Sequence, residues 1–470
     1  MNLPVARDTI CAIATPLGVG GIGVVRLSGP EAIAVANRIF SSRRNERPAD
    51  ALERAASHTV HHGWLIDPST DEVVDEVLVT AMRAPRTYTR EDVVEISGHG
   101  GPRVLATILE CCLAAGSRLA EPGEFTKRAF LNGRLDLTQA EAVMALIHAE
   151  SEAARRLALR QLQGDVAGSV RALRESLLGL LADCEAGLDF VEQGVASLPP
   201  EQLRARLAPI QEHIAGLLET ARTGVWLRDG VQTVIAGRPN VGKSSLFNKL
   251  LQKNRAIVTP YPGTTRDLLE ETLTIDGFPL RLIDMAGLRN SPDPIEQEGI
   301  ARAGRTLDDA DIVLLVLDGS EPLLDDDRAL LGRARADRTI LILNKIDLAP
   351  AIDQAALADE CPNLPMVRLS ALHGTGCDEL KRAIGRLLTE RAGSVSGRAI
   401  VSSARHLQAL MSAAESLVRA RAAAESGLSH EFIAADLNDA VRELGAILGE
   451  DGSFTEEMLD HIFKQFCIGK

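Results

Sequence analysis

The sequence predicts a phosphate-loop α/β domain with a mostly parallel sheet, inserted in an all-α helical domain and preceded by an α+β N-terminal domain. Three observations predict this architecture. Residues 1–131 alternate short β-rich runs with amphipathic segments, a glycine-rich loop follows the apolar run 231–236, and apolar residues at helical spacing lie on both sides of the middle segment. A chain of 470 residues is long enough for three such domains.

The N-terminal part, residues 1–131, is predicted to be a compact α+β unit. Residues 21–27 and 76–82 are β-rich, whereas residues 31–40 and 102–115 carry apolar side chains at helical spacing. The first residues lack a charged segment followed by a long apolar core, and no apolar run is long enough to span a membrane. We therefore expect no membrane association and a cytoplasmic location.

The segments 132–224 and 397–470 are predicted to form the first and second parts of one helical domain. Apolar side chains recur there every three or four residues, as in amphipathic helices that pack on one another. They include Val166, Val170, Leu173, Leu177, Leu180 and Leu181 in the first part, and Leu407, Leu410, Met411, Leu417, Val418, Leu437, Val441, Leu444 and Leu448 in the second. The phosphate-loop domain, residues 225–396, is therefore inserted between the two parts.

A phosphate-binding loop opens the middle segment. The sequence Gly-Arg-Pro-Asn-Val-Gly-Lys-Ser occupies residues 237–244, directly after the apolar run 231–236. Its glycines let backbone N–H groups turn toward phosphates, Lys243 reaches the β- and γ-oxygens, and the Ser244 hydroxyl is a Mg²⁺ ligand. The nucleotide-binding candidates from this loop are Asn240, Val241, Gly242, Lys243, Ser244 and Ser245.

Two switch segments are predicted downstream of this loop. Residues 263–267 contain Thr265, a hydroxyl that completes a Mg²⁺ shell when the γ-phosphate is present. The apolar strand 280–283 ends in Asp284, which is positioned to hold Mg²⁺ through water, and the N–H of Gly287 is positioned to contact the γ-phosphate.

A guanine-reading tetrad follows the predicted strands 311–317 and 339–343. It consists of Asn344, Lys345, Ile346 and Asp347, and the Asp347 carboxylate accepts two hydrogen bonds that guanine offers and adenine does not. Ser370, Ala371 and Leu372 follow another strand, where a backbone N–H is expected to contact the guanine carbonyl. These spaced motifs together predict a GTPase.

The glutamine that small GTPases use to orient water is missing, because Leu288 follows Gly287. A carboxylate between residues 290 and 300 is the natural substitute, and Asp293, Glu296 and Glu298 all qualify. A solvated acidic loop is the alternative interpretation of these residues.

These motifs resemble those of the MnmE (TrmE) family, the tRNA-modification GTPases, over essentially the whole chain. The signatures are residues 237–244, 263–267, Ala-Thr-Pro at 14–16 with Gly-Gly-Ile-Gly at 20–23, residues 98–102 and 121–126, and the terminal Phe-Cys-Ile-Gly-Lys at 466–470. The resemblance implies that K⁺ and dimerisation of the phosphate-loop domains, called G domains in this family, replace an arginine finger. It implies K⁺ ligands at Asn240, Thr259, Tyr261 and Thr264, with Thr259 and Thr264 also contacting GTP, and a water-orienting role for Glu296.

Asn240 has a second interpretation, and Met285 departs from the family pattern. From the residues alone, Asn240 also fits a turn-stabilising asparagine. Met285 stands where the family commonly has threonine, which is expected to alter switch packing without abolishing Mg²⁺ binding.

The resemblance also implies that the N-terminal unit forms a constitutive homodimer and binds a tetrahydrofolate derivative, in its 5-formyl or methylene form. The matching positions are Arg26, Glu95, Arg134 and Lys470. Arg134 replaces a lysine found in some relatives, which keeps the charge and changes its geometry. From the residues alone, Arg26 and Glu95 also fit an ordinary ion pair between strands.

Partners follow from the same resemblance. It implies a heterotetrameric complex with an FAD- and NADH-using protein of the MnmG type, which modifies carbon 5 of the wobble uridine of certain tRNAs. The net charge of −14 argues against a general nucleic-acid binder, so the partner is expected to carry much of the tRNA affinity. A ribosome-assembly GTPase and a folate-dependent transferase with regulatory GTP are the rival classes.

Cysteine usage predicts a reducing environment. The seven cysteines show no metal-binding spacing. Cys467 fits either a small buried residue of the last helix or a functional thiol near the modification site.

Overall fold

In a computed structural model of the chain, the structure describes residues 8–44, 46, 50–189, 199–252, 270–284, 307, 309–392, 398–450 and 456–470. The chain divides into two compact units. The first comprises Met1–Met144, Gln161–Leu203 and Ser416–Lys470, and the second comprises Ala145–Arg160 and Arg204–Glu415. Within the described ranges, no helix is long and apolar enough to cross a membrane.

Strands and helices alternate near the N-terminus and in the middle of the described chain, and helices follow the last strand. The strands are β1 (Ile10–Ile13), β2 (Ile22–Ser28), β3 (Phe40–Ser41), β4 (Thr59–Ile66), β5 (Val73–Met82), β6 (Val93–His99), β7 (Arg118–Leu119), β8 (Val231–Ala236), β9 (Glu270–Ile275), β10 (Phe278–Asp284), β11 (Ile312–Asp318), β12 (Thr339–Asn344) and β13 (Met366–Arg368). The helices are α1 (Ala32–Ile39), α2 (Pro102–Ala114), α3 (Glu124–Leu131), α4 (Leu137–Ile147), α5 (Glu152–Leu162), α6 (Asp165–Asp189), α7 (Pro200–Asp229), α8 (Lys243–Gln252), α9 (Asp325–Leu331), α10 (Gln354–Glu360), α11 (Cys377–Ala392), α12 (Ala404–Glu425), α13 (His430–Leu448) and α14 (Glu456–Phe463).

The first unit contains a seven-stranded sheet in the order β3-β4-β5-β6-β2-β1-β7. All its pairings are antiparallel except β1 with β7. Alternate strand residues such as Val25, Leu27, Val94 and Ile96 are buried with α1 and α2 in one apolar core. Because side chains alternate across a strand, Arg26 and Glu95 lie on the opposite face. The predicted α+β N-terminal fold is confirmed.

Helices complete the first unit around two apolar clusters. The long helix α6 packs against α13, and the predicted positions Val166, Val170, Leu173 and Leu177 are all buried. Near the C-terminus, Leu459, Phe463 and Phe466 pack with Leu137 and Ala140 of α4. The helical spacing in the sequence therefore marked true packing positions here.

The second unit contains a six-stranded sheet in the order β13-β12-β11-β8-β10-β9, parallel except for the antiparallel edge strand β9. Strands β8, β11 and β12 are almost wholly buried, as expected when helices cover both faces of a parallel sheet. The carboxyl ends of β8, β10, β11, β12 and β13 meet at one edge, where ligands bind in such folds. The predicted mostly parallel α/β fold is confirmed.

Three features of the fold differ from the sequence reading. Strand β9 was not predicted, because its polar alternation gives a weak signal at a sheet edge. Helix α7 runs to Asp229, past the proposed boundary at residue 224, and its Trp226 is buried in the core of the second unit. On α12, Met411 and Val418 are 44% and 61% exposed, so these two apolar positions do not pack as the helical spacing suggested.

Candidate functional site

The phosphate loop lies between β8 and the first residue of α8, Lys243. The Lys243 ammonium is mostly buried and donates to the carbonyl oxygens of Gly237, at 3.0 Å, and Arg238, at 2.7 Å. Asn240 is exposed and left-handed, with φ of 65°, a conformation that asparagine tolerates better than most residues. The loop therefore presents Asn240 to solvent while its own carbonyls hold Lys243 at the helix N-terminus.

Asn344 joins the phosphate loop to the guanine motifs. Its Nδ2 donates to the carbonyl of Val241 at 2.7 Å, and its Oδ1 accepts from the N–H of Ala371 at 2.9 Å. The approach requires Gly242, because a Cβ at that residue would lie 2.1 Å from Asn344 Nδ2. Asn344 is 2% exposed, so both hydrogen bonds are sheltered from water. One buried amide thus fixes the relative positions of three sequence motifs.

Lys345 is held beside the carboxyl end of β11. Its Nζ lies 2.5 Å from Oδ2 of Asp318, whose side chain is 3% exposed. Asp318 Oδ1 also accepts from the backbone N–H and the hydroxyl of Ser320. Burial would raise the pKa of Asp318, but the hydrogen bonds from Lys345 and Ser320 together with attraction to Lys345 outweigh it, and the pKa is lowered. The sequence did not predict this role of Asp318, because an acidic residue after an apolar strand is not distinctive.

The carboxylate of Asp347 stays ionised. A hydrogen bond from Ser370 holds its pKa below the ordinary value, with a smaller contribution from His373, whose Nε2 lies 3.9 Å from Asp347 Oδ2. Leu372 in the adjoining loop is 72% exposed, and Ala371 is buried. The loop 370–372 therefore lies next to the tetrad, and the ionised Asp347 accepts a hydrogen bond from it.

Several predicted residues lie outside the described part of the chain. They are Thr259, Tyr261, Thr264, Thr265, Met285, Gly287, Leu288, Asp293, Glu296 and Glu298. Asp284 is the last residue of β10, parallel to β8, and its backbone stands at the same sheet edge as the phosphate loop.

The folate candidates of the first unit gather around the C-terminus. Arg26 and Glu95 are directly opposite in the β2–β6 register, and Arg26 Nη2 lies 2.7 Å from Glu95 Oε1. The interpretation as an ion pair between strands is therefore confirmed. Arg26 Nη1 also donates to the Gly469 carbonyl at 3.4 Å. The left-handed Gly469 packs against β1, since a Cβ there would lie 2.4 Å from the Ile13 carbonyl oxygen.

Tyr88 lies between two of the predicted cations. The guanidinium carbon of Arg134 is 4.8 Å from the ring centroid, that of Arg26 is 5.7 Å away, and Arg134 Nη1 donates to the Tyr88 carbonyl. Burial, and then repulsion by Arg26, lowers the pKa of Lys470 below its ordinary value. The guanidinium carbon of Arg26 is also 5.7 Å from the Phe125 ring centroid, so the site combines three cations, one carboxylate and two aromatic rings. Tyr88 was missed because a single tyrosine among turn residues carries no spacing signal.

Cys467 is exposed and lies after the end of α14, so the interpretation as a buried residue of the last helix is wrong. Burial raises the pKa of other thiols in the first unit, that of Cys111 to about 11. Within the described residues, no group of three or more histidine, cysteine or acidic side chains could hold a metal ion.

Comparison with known proteins identifies the family. Residues 137–467 match the family model described as the MnmE helical domain, and residues 9–134 match the N-terminus of the GTP-binding protein TrmE. A protein from Geobacillus kaustophilus named tRNA modification GTPase MnmE is 45% identical over 98% of this chain and 99% of its own length. The chain belongs to the MnmE family. A Levilactobacillus brevis MnmE is 44% identical, covering 98% of each chain, and a Ligilactobacillus salivarius MnmE is 42% identical, covering 100% of this chain and 99% of its own.

The residues matched by the two MnmE family models correspond to elements of the observed fold. The TrmE N-terminal match covers the seven-stranded sheet, and the helical-domain match runs from α4 past the end of α14. The phosphate loop and the six-stranded sheet fall inside the span of the helical match, as expected for a G domain inserted in a helical domain.

Proposed function

We propose that this member of the MnmE family is a K⁺-activated GTPase that, with an FAD-dependent partner, modifies carbon 5 of the wobble uridine of certain tRNAs. The chain hydrolyses GTP to GDP and phosphate in tRNA modification, as its close relatives named for that activity indicate. A tetrahydrofolate derivative is the one-carbon donor in this proposal. The active form is a homodimer whose G domains meet during hydrolysis.

One observation carries the GTPase part of the proposal. Asn344 connects the phosphate loop, the guanine tetrad and the loop 370–372 through two buried hydrogen bonds. An ATP-binding loop has no need of this connection to a base-reading tetrad. The described residues bind and orient GTP: Lys243 and the loop N–H groups hold phosphate oxygens, and the ionised Asp347 accepts from guanine.

Two ions belong to the proposal, and the described residues supply one donor for each. Ser244 at the start of α8 offers a hydroxyl oxygen for Mg²⁺, and the exposed Asn240 offers an amide oxygen for K⁺. The other proposed ligands, Thr265 for Mg²⁺ and Thr259, Tyr261 and Thr264 for K⁺, lie outside the described residues. K⁺ supplies positive charge where hydrolysis develops negative charge. Glu296 orients the attacking water in place of the absent glutamine.

The site around Tyr88 fits a folate. A folate carries anionic glutamate carboxylates and a flat ring with N–H donors, which require cations, a carboxylate acceptor and an apolar or aromatic surface. Arg26, Arg134 and Lys470 supply the cations and Glu95 supplies the acceptor. These residues bind and orient the donor, whose chemistry is the transfer of a one-carbon unit.

The K⁺ proposal is tested by measuring GTP hydrolysis of the purified chain in matched KCl and NaCl buffers. We expect hydrolysis at least tenfold faster in KCl, and an Asn240→Ala variant that loses most of this difference while still binding GDP. Equal rates in the two salts would refute K⁺ activation without touching the assignment as a GTPase.

The tRNA proposal is tested by mass spectrometry of wobble uridine. The chain, its FAD-dependent partner, GTP, K⁺ and a tetrahydrofolate donor are incubated with unmodified tRNA. We expect a new group at carbon 5 that carries the isotope label of the folate. A product formed equally well without the folate would refute the assignment of the donor.

A further inference from the structure

The side chain of Arg238 pairs with two carboxylates of the segment that connects β11 to α9. Arg238 is the second residue of the loop, and its carbonyl accepts from Lys243. The side chain of Arg238 is 13% exposed. Its guanidinium contacts the Glu321 carboxylate, and its Nε lies 3.2 Å from Oδ2 of Asp327. The hydrogen bond from Arg238 to Glu321, followed by attraction to Asp327 and Asp318, raises the pKa of the guanidinium. These two ion pairs attach the phosphate loop to the segment between β11 and α9.

Asp327 is the buried partner in this attachment. Its side chain is 2% exposed, and its Oδ2 also accepts from the N–H of Leu324, which caps the start of α9. A carboxylate so buried needs a cation, because an uncompensated buried charge is strongly destabilising. Arg238 is the cation within ion-pair distance of Asp327 in the described residues. The phosphate loop and α9 therefore hold each other in place.

The same segment supports the base-reading tetrad at its other end. Asp318, the last residue of β11, pairs with Lys345, and nine residues later Asp327 pairs with Arg238. The connection from β11 to α9 thus reaches both the phosphate loop and the guanine tetrad through buried carboxylates. A rigid connection of this kind sets the distance between the base and phosphate contacts.

We propose that Asp327 and Glu321 are positioning residues for GTP. They hold Arg238 so that residues 237–240 keep the conformation that binds phosphates, and neither carboxylate touches the nucleotide. With Asp318, they make the β11–α9 connection a common support for the two halves of the nucleotide site. This inference rests on the proposed GTP site and adds the residues that shape it.

The chain offers a matched control on the same helix. Arg328 follows Asp327 in α9 and pairs with Glu360 at 3.2 Å, on an exposed surface. Arg328→Met and Glu360→Gln remove an ion pair from α9 without affecting Arg238. A general weakening of α9 would appear in these variants, whereas a loss of loop positioning would not.

The experiment measures the affinity of the full-length chain for fluorescent mant-GDP, per active site, with kcat and KM for GTP. In Asp327→Asn the amide oxygen still accepts from Leu324, but the charge opposite Arg238 is gone. We expect about tenfold weaker GDP binding, a similar rise in KM and a kcat within threefold of wild type, because positioning of the loop affects ground-state and transition-state binding alike. The Arg328 and Glu360 controls are expected to stay within twofold.

A double-mutant cycle decides whether Asp327 acts through Arg238. Arg238→Met is expected to weaken GDP binding about as much as Asp327→Asn, and the double variant no more than either single one. The proposal would be overturned if the losses of the two single variants multiplied in the double variant. It would also be overturned if Asp327→Asn bound GDP within twofold of wild type. Should Asp327→Asn fail to fold, Glu321→Gln at the exposed side of the pair is expected to cost two- to fivefold, and an unchanged affinity there would overturn it equally. A wild-type chain that failed to bind mant-GDP would instead refute the GTP site itself.

Discussion

Asn344→Ala is the change that tests the nucleotide site most directly. It removes the amide that hydrogen-bonds to the Val241 carbonyl and to the Ala371 N–H. Because Asn344 is only 2% exposed, both hydrogen bonds are buried. An orphaned buried donor or acceptor costs about 1–3 kcal/mol, so two cost about 2–6 kcal/mol. At about 1.4 kcal/mol per tenfold change, the full cost corresponds to between about 30-fold and about 2 × 10⁴-fold in affinity. We expect the lower end, about 30-fold, because part of the cost appears as local opening of the loop at Ala371.

The assay combines mant-GDP titration with hydrogen exchange of peptides that contain Ala371. Weaker GDP binding should coincide with faster exchange of the Ala371 amide, since Asn344 is its hydrogen-bond acceptor. Asn132→Ala is the matched control, because Asn132 also donates to a backbone carbonyl, that of Thr89, but lies in the first unit. Its GDP affinity should equal that of wild type. An Asn344→Ala variant within threefold of wild-type affinity would refute the reasoning.

Three further predictions concern both units. Trp226→Ala should lower the stability of the second unit by about 3–5 kcal/mol in thermal unfolding, because Trp226 is 2% exposed in its core, and Trp226→Phe should restore most of it. Arg26→Met should weaken binding of 5-formyltetrahydrofolate at least tenfold by calorimetry and leave GDP binding unchanged, and equal folate affinity would contradict the site. Burial alone would raise the pKa of Glu124, but the hydrogen bonds from Arg118, Glu121 and Arg128 together outweigh it and the folded-state pKa is lowered. This stabilisation is therefore present at neutral pH and is lost as pH falls from the ordinary value of 4.5 through the lowered folded-state pKa. Glu124→Gln should therefore flatten the acid dependence of the melting temperature of the first unit, and an unchanged slope would exclude Glu124 as its source.

The linear motifs could be predicted because local geometry requires particular residues. A phosphate loop needs glycine where the backbone is left-handed, and Gly242 has φ of 100° with no room for a Cβ. Buried parallel strands such as β11 and β12 need continuous apolar runs, and helices such as α6 need apolar residues at a spacing of three and four. These requirements act between residues that are close in the sequence, so they can be recognised from the sequence alone.

The supporting residues could not be predicted, because their importance comes from contacts between distant segments. Asp327 and Arg238 are 89 positions apart in the sequence and meet only when α9 packs beside the phosphate loop. Tyr88 gains its position between Arg26 and Arg134 in the same way. A lone aspartate, arginine or tyrosine has no periodicity, so nothing in its neighbourhood distinguishes it from a solvated side chain.

The sequence by itself determined the family and the fold class, and it predicted which residues bind a nucleotide, because each of these is encoded in short patterns with strict local chemistry. Only the tertiary structure decided which charges are buried, which thiol is exposed and which buried amide joins the loops. Burial and pairing depend on the distances between elements, and those distances exist only once the chain has folded.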